Sequence, residues 1–157
     1  MLCFKRGGRL IKILVDADSC PVKDIIFEVA ENFSIEVVVV KNLSHDIKND
    51  YVRVITVDEG KDAVDFVILN NTQKNDLIIT QDYGLASLVL TKYAKAIHPN
   101  GWVFTNNNID GLLMNRHINQ QIRKRDGKLT KVPKRKKEDN IKFKNLLEDT
   151  LTQILEK

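Results

Sequence analysis

Short apolar, β-branched runs alternate along this chain with segments whose apolar residues recur every three or four positions. That alternation constrains the fold more than any other feature. Ile11–Val15, Ile35–Val40 and Leu77–Thr80 read as buried strands, and Val52–Val57 as another. Ala96–His98 is a short fifth, and Trp102–Phe104 is a further extended piece beyond the turn Pro99-Asn100-Gly101. Between them fall helices: one through Val22, Ile25, Ile26, Val29, Ala30 and Phe33, one over Asp62–Asn71, and one over Gly84–Tyr93. A fourth, capped by Thr105, buries Ile109, Leu112 and Leu113, and Ile118 and Ile122 are further candidates for burial on it. Strands alternating with helices of about ten residues predict βαβ crossovers and a mostly parallel sheet, an α/β fold.

The 157 residues suit one domain, and 43% apolar residues can build its core. Cys3 and Cys20 form neither a disulfide framework nor a zinc-type pair. No apolar run approaches the roughly 20 residues that span a bilayer. A soluble cytoplasmic protein without a membrane partner is the expectation. Residues 1–9 lack any apolar period. Lys5-Arg6-Gly7-Gly8 can be encoded through a ribosome-binding sequence, and Leu10 by an alternative start codon. Residues 1–9 are therefore expected to be translated leader, which the intact mass of the native protein would test. The domain is expected at 10–123, followed by a basic linker at 124–140 and a C-terminal helix at 141–157 that docks on the body or on a second chain, as in a homodimer.

The net charge of +4 is unevenly spread. From Arg116 to Lys144 there are twelve Lys or Arg against three acids, a net +9, and the remainder carries −5. An acidic body with a basic arm points to a polyanion partner, nucleic acid first, although a charge run is as often just a solvated face. The arm comprises Arg123, Lys124, Arg125, Lys128, Lys131, Lys134, Arg135, Lys136 and Lys137. Arg116 is placed to hold a phosphate near the strand ends, or to serve as a surface cation at a helix end.

Acids fall where an open parallel sheet binds its ligands, past the carboxyl ends of strands. Asp16 and Asp18 follow the first strand, Asp62 and Asp65 open the helix after the third, and Asp82 follows the fourth. Asp62 and Asp65, three apart, share a helix face. Carboxylates converging from separate strands raise one another's pKa or recruit cations. Oxygen-only ligands favour Mg²⁺ or Mn²⁺ over zinc. The competing account is helix capping, for which Asp18, Asp62 and Asp82 are all placed. Other signals are weaker. Gly60-Lys61 fits a turn as well as a phosphate. Ser19 and Cys20 lack any nucleophile pattern, so Cys20 is expected to be a small buried residue. His98 is expected in turn chemistry, and Trp102 and Phe104 in the core rather than stacked on bases.

Val15-Asp16-Ala17-Asp18-Ser19-Cys20-Pro21 resembles the opening signature of the bacterial YaiI/YqxD family. Asp76-Leu77-Ile78-Ile79-Thr80-Gln81-Asp82, followed by Leu85-Ala86, resembles its second signature. Asn100-Gly101, Phe104-Thr105, Asn108-Ile109 and Leu113-Met114-Asn115-Arg116 resemble its third. The similarity spans about residues 11–150. That family is largely uncharacterised and grouped with PIN-like domains, most of whose known members are metal-dependent ribonucleases. The resemblance implies a PIN-like three-layer sandwich with about five mostly parallel strands, strand one central, plus the C-terminal helix. Asp16, Asp65 and Asp82 match PIN acids and would be catalytic metal ligands, and Asp18 and Asp62 belong to this family's own pattern. No Glu on a middle helix fills the remaining PIN position.

The expected function is Mg²⁺- or Mn²⁺-dependent phosphodiester hydrolysis, on RNA more than DNA, with the arm gripping the backbone without reading sequence. On this view deleting 123–157 weakens binding and spares hydrolysis of a small phosphodiester. The alternatives are nucleic-acid binding without catalysis, and hydrolysis of small phosphorylated molecules.

Overall fold

The computed structural model describes residues 5–6, 9–43, 46–58, 62–126 and 134–156. Lys5–Arg6 (β1) and Arg9–Leu10 (β2) pair antiparallel, apart from the main sheet. The main sheet contains Lys12–Asp16 (β3), Glu36–Lys41 (β4), Arg53–Thr56 (β5), Leu77–Ile79 (β6), Lys95–His98 (β7) and Trp102–Phe104 (β8). Its helices are Lys23–Asn32 (α1), Ala63–Asn71 (α2), Tyr83–Thr91 (α3), Asn106–Asp126 (α4) and Lys137–Glu156 (α5).

The strand order is β5-β4-β3-β6-β7-β8. The first five are parallel, with Ile13 opposite Val37 on one side and Leu77 on the other. β8 turns back antiparallel on β7, making six strands where about five were expected. The Pro99-Asn100-Gly101 turn makes this reversal. Gly101 sits at φ +94°, and its N–H donates to the His98 carbonyl at 2.9 Å. A side chain at 101 would also meet Lys142 Cγ at 2.9 Å and the Phe143 N at 3.1 Å, so the turn lies hard against α5.

The pleat sends alternate residues to opposite faces. Ile13, Val15, Val37, Val39, Leu77, Ile79 and Ile97 face α1 and α5. Leu14, Val38, Val40, Ile78 and Ala96 face α2, α3 and α4. A mostly parallel six-stranded sheet between two helical layers results, which is why the strand sequences are apolar throughout. α5 is part of the core, since Phe143, Leu147 and Leu151 are fully buried. It docks on the body, the first of the two alternatives left open by the sequence.

Several boundaries differ from the sequence expectation. Residues 124–126 complete α4 and 137–140 begin α5, so the stretch between these helices is shorter than the expected linker. Residues 127–133 lie outside the described residues. Deleting 123–157 would remove α5 from the core, so that experiment does not isolate the arm. Ile118 and Ile122 are exposed rather than buried, because they lie on the side of α4 opposite Ile109. No described helix is long and apolar enough to cross a membrane.

Candidate functional site: carboxylates at the strand ends

Asp16 ends β3, the central strand, and is buried. Its Oδ2 accepts hydrogen bonds from Ser19 Oγ at 3.0 Å and Thr80 Oγ1 at 3.1 Å. Burial raises its pKa. The two hydroxyls oppose that rise, and the charges of Asp18 and Asp82 add to it. Thr80 Oγ1 in turn accepts from the Asp82 N–H at 2.9 Å, so one hydroxyl ties the ends of β3 and β6 together.

Asp82 is the N-cap of α3, and its Oδ1 accepts from the Leu85 N–H at 3.0 Å. The capping account is therefore correct for Asp82. It is incorrect for Asp18, which lies exposed in the 3-10 turn Ala17–Ser19. That turn and Pro21 intervene before α1, whose N-cap is Val22 with no side-chain bond. Asp62 stands at the N-cap of α2, also without a side-chain cap bond.

Asp65, half-buried in the first turn of α2, shares a side-chain hydrogen bond with Asp82. Its pKa is pushed up to about 7, first by burial, then by the charges of Asp82 and Asp16, then by that bond and Asp62. The acids from β3, α2 and α3 thus feel one another, as expected of converging carboxylates. Among the described residues, however, no group of three or more His, Cys, Asp or Glu forms a metal-binding arrangement. Asp16 turns an oxygen to its two hydroxyls, and the close carboxylate contact is between two acids, Asp65 and Asp82.

Two concavities meet at Asp82. One, about 520 Å³, is lined by Asp62, Asp65, Phe66, Leu69 and Asp82 together with residues of α3. The other, about 410 Å³, is lined by Asp16, Ser19, Gln81, Asp82 and Tyr83. Ser19, Thr80, Gln81 and Tyr83 were missed by sequence reasoning as parts of the site. The spacings Asp16-x-x-Ser19 and Thr80-x-Asp82 were the available signal for two of them. Gln81 Nε2 donates to the Ser19 carbonyl and joins the two loops.

The remaining candidates settle differently. Cys20 is buried, and burial pushes its thiol up to about 11, so it is no nucleophile at neutral pH. His98 makes turn contacts: its Nδ1 accepts from the Asn100 N–H at 3.0 Å. Burial, and then the Arg135 charge, bring its pKa down to about 4. Phe104 is buried, and Trp102 stacks on His98 with ring centroids 4.5 Å apart.

Arg135 is half-buried and not a freely solvated arm residue. Its Nε donates to Asn140 Oδ1 at 2.6 Å and its Nη1 to Asn100 Oδ1 at 3.0 Å. Its charge reaches both His98 and Cys20, which places it at the strand edge that carries the acids. Lys124, Lys134, Lys136 and Lys137 are exposed. Lys128, Lys131 and Gly60-Lys61 lie outside the described residues, as do the side chains of Arg116, Arg123 and Arg125.

A family model described as "Uncharacterized BCR, YaiI/YqxD family" matches residues 14–153. A "UPF0178 protein" of Natranaerobius thermophilus is 65% identical over 144 residues, 92% of this chain and 98% of that one. A relative of the same name from Alkaliphilus oremlandii is 54% identical, covering 87% of this chain and 88% of its own. One from Clostridium perfringens is 41% identical, covering 92% and 97%. No solved structure matches. The signatures read at Val15–Pro21, Asp76–Asp82 and Asn100–Arg116 all lie inside the matched span, and the chain belongs to the YaiI/YqxD family.

Proposed function

We propose that this protein is a metal-dependent phosphodiesterase acting on nucleic acid, RNA before DNA, with a PIN-like version of its α/β fold. The observation that carries this reading is the contact between Asp65 and Asp82 beside buried Asp16. Two carboxyl groups that close must share a proton or a cation. Burial first, and then the charges of Asp82 and Asp16, push the Asp65 pKa up to about 7, so a proton or a cation is favoured there. The donor chemistry fits Mg²⁺ or Mn²⁺, because Mg²⁺ keeps several waters and needs only one or two protein carboxylates. Asp65 and Asp82 would hold the ion, with Asp16 beside them and Asp18 and Asp62 adding negative potential. Bound there, the ion would polarise a phosphodiester and supply a water of lowered pKa.

The chain's own groups have defined tasks in this scheme. Ser19 and Thr80 fix the orientation of the Asp16 carboxylate. Arg135 supplies positive charge at the acidic edge, and exposed Lys124, Lys134, Lys136 and Lys137 would grip phosphates regardless of sequence.

The test is Mn²⁺ and Mg²⁺ calorimetry on wild type and Asp65→Asn, with labelled-RNA cleavage on the same samples. Binding and cleavage, both lost in the variant, are expected. A wild type that neither binds the ion nor cleaves RNA would refute the proposal. The lack of a three-ligand group among the described residues favours a second reading, nucleic-acid binding without catalysis. That reading predicts RNA affinity indifferent to Asp82→Asn and to added cation.

A further inference from the structure

α4 has 21 residues, about 31 Å of helix, whereas α3, against which it packs, has nine, about 14 Å. Its first turns bury Ile109 and half-bury Leu112 and Leu113 against the second core cluster. Beyond them the apolar residues move to the opposite side. At 100° per residue, Ile118 lies about 180° from Ile109, with Met114 and Ile122 about 40° on either side of it. Met114, Ile118 and Ile122 are 59%, 45% and 36% exposed, respectively. Gly111 shares that outward side, and a side chain built there meets nothing within 4 Å. A half-helix of about ten residues is marginal in water without an apolar neighbour. The stripe therefore lacks its cover.

The stripe is self-complementary. When two copies of α4 lie antiparallel and centred on Ile118, Ile118 meets its own counterpart and Met114 meets the partner's Ile122. The polar residues agree with this register. Asp110 and Lys124 are both exposed and lie on the same flank of the stripe. In the antiparallel pair, Asp110 falls beside the partner's Lys124 at each end. A parallel pair would carry the same flank of the two helices to opposite sides of the seam and leave both charges without a partner. We infer that the outward face of α4, centred on Ile118, is the interface of a homodimer formed by antiparallel pairing of this helix. One helix pair is a small interface, so the dimer is a reversible, concentration-dependent one.

Sedimentation equilibrium on the full chain tests this, with the 18.0 kDa monomer mass as reference. Wild type should approach twice that mass at about 100 µM. Ile118→Asp should weaken association at least about 100-fold by setting two charges into the seam, with circular dichroism unchanged. Asp110→Lys should weaken it less, and adding Lys124→Asp to that variant should restore it. A wild type that stays monomeric, a dimer that survives Ile118→Asp, or a charge swap without rescue would each overturn the inference. A monomer whose RNA affinity drops with Ile118→Asp would assign the face to nucleic acid instead, and would also overturn it.

Discussion

Asp65, in the first turn of α2, and Asp82, the N-cap of α3, share a hydrogen bond between carboxyl groups that stand 17 positions apart in the chain. The contact exists because α2 follows β5 at the sheet edge yet packs over β3, β4 and α3. That crossover brings its first turn beside the loop that leaves β6.

The raised pKa of Asp65, set first by burial and then by Asp82, makes stability depend on pH. Asp65's folded-state pKa of about 7 lies above the roughly 4 of an unfolded Asp. The folded chain binds more protons in that window, so stability falls as pH rises from about 4 to 7. Asp65→Asn removes this contribution. In the absence of divalent cation, its Tm should match wild type near pH 4 and exceed it by about 3–6 °C near pH 8. Parallel Tm profiles for the two proteins would count against the contact.

Asp82 both caps α3 and faces Asp65, and two substitutions separate these tasks. Asn can still accept from the Leu85 N–H, so Asp82→Asn should cost little stability while lowering Asp65's pKa and abolishing metal-dependent cleavage. Asp82→Ala should lose the same activity and about 1 kcal/mol of stability as well. Urea melts and an NMR titration of the Asp65 carboxyl would read the two effects. Equal stability of the Asn and Ala variants would contradict the capping bond.

At the opposite end of the sheet, Asp76 is fully buried and paired with Lys12 Nζ at 2.7 Å. It also accepts from the Lys12 N–H at 3.2 Å and the Gln73 N–H at 2.8 Å. Removing one partner strands the others, so Asp76→Ala should cost about 3–5 kcal/mol. Chemical denaturation should show this as a large fall in midpoint with little change in slope. A loss below about 1 kcal/mol would mean the pair is hydrated.

The basic segment is best tested without touching α5. Replacing Lys134, Lys136 and Lys137 by Gln removes three exposed charges and no buried contact. RNA affinity should fall, and the slope of log affinity against log salt should shrink by about 2–3 units. Hydrolysis of a small phosphodiester should be unchanged. An unaltered salt slope would show that these lysines do not meet phosphates.

Much of the layout was legible because burial on both faces leaves a strong local mark. The run EVVVVK of β4 can only be a central strand, and the order of strands and helices follows from the same signal. Helix starts were less legible. Asp18 and Ser19 look like caps, but Pro21 and a 3-10 turn delay α1 to Lys23. The fate of α4's second apolar stripe was also illegible, because periodicity reports that residues share a face and not which neighbour that face meets.

By itself the sequence determined that this is an α/β chain whose acids follow the strands, because side-chain period and strand-end position are local properties. It also determined the family, through signatures that include Asp16 and Asp82. Only the tertiary structure decided that Asp65 meets Asp82, that Asp16 spends an oxygen on Ser19 and Thr80, and that Arg135 is anchored to Asn100 and Asn140. Those distances depend on how crossovers stack helices over the sheet, and no local pattern encodes them.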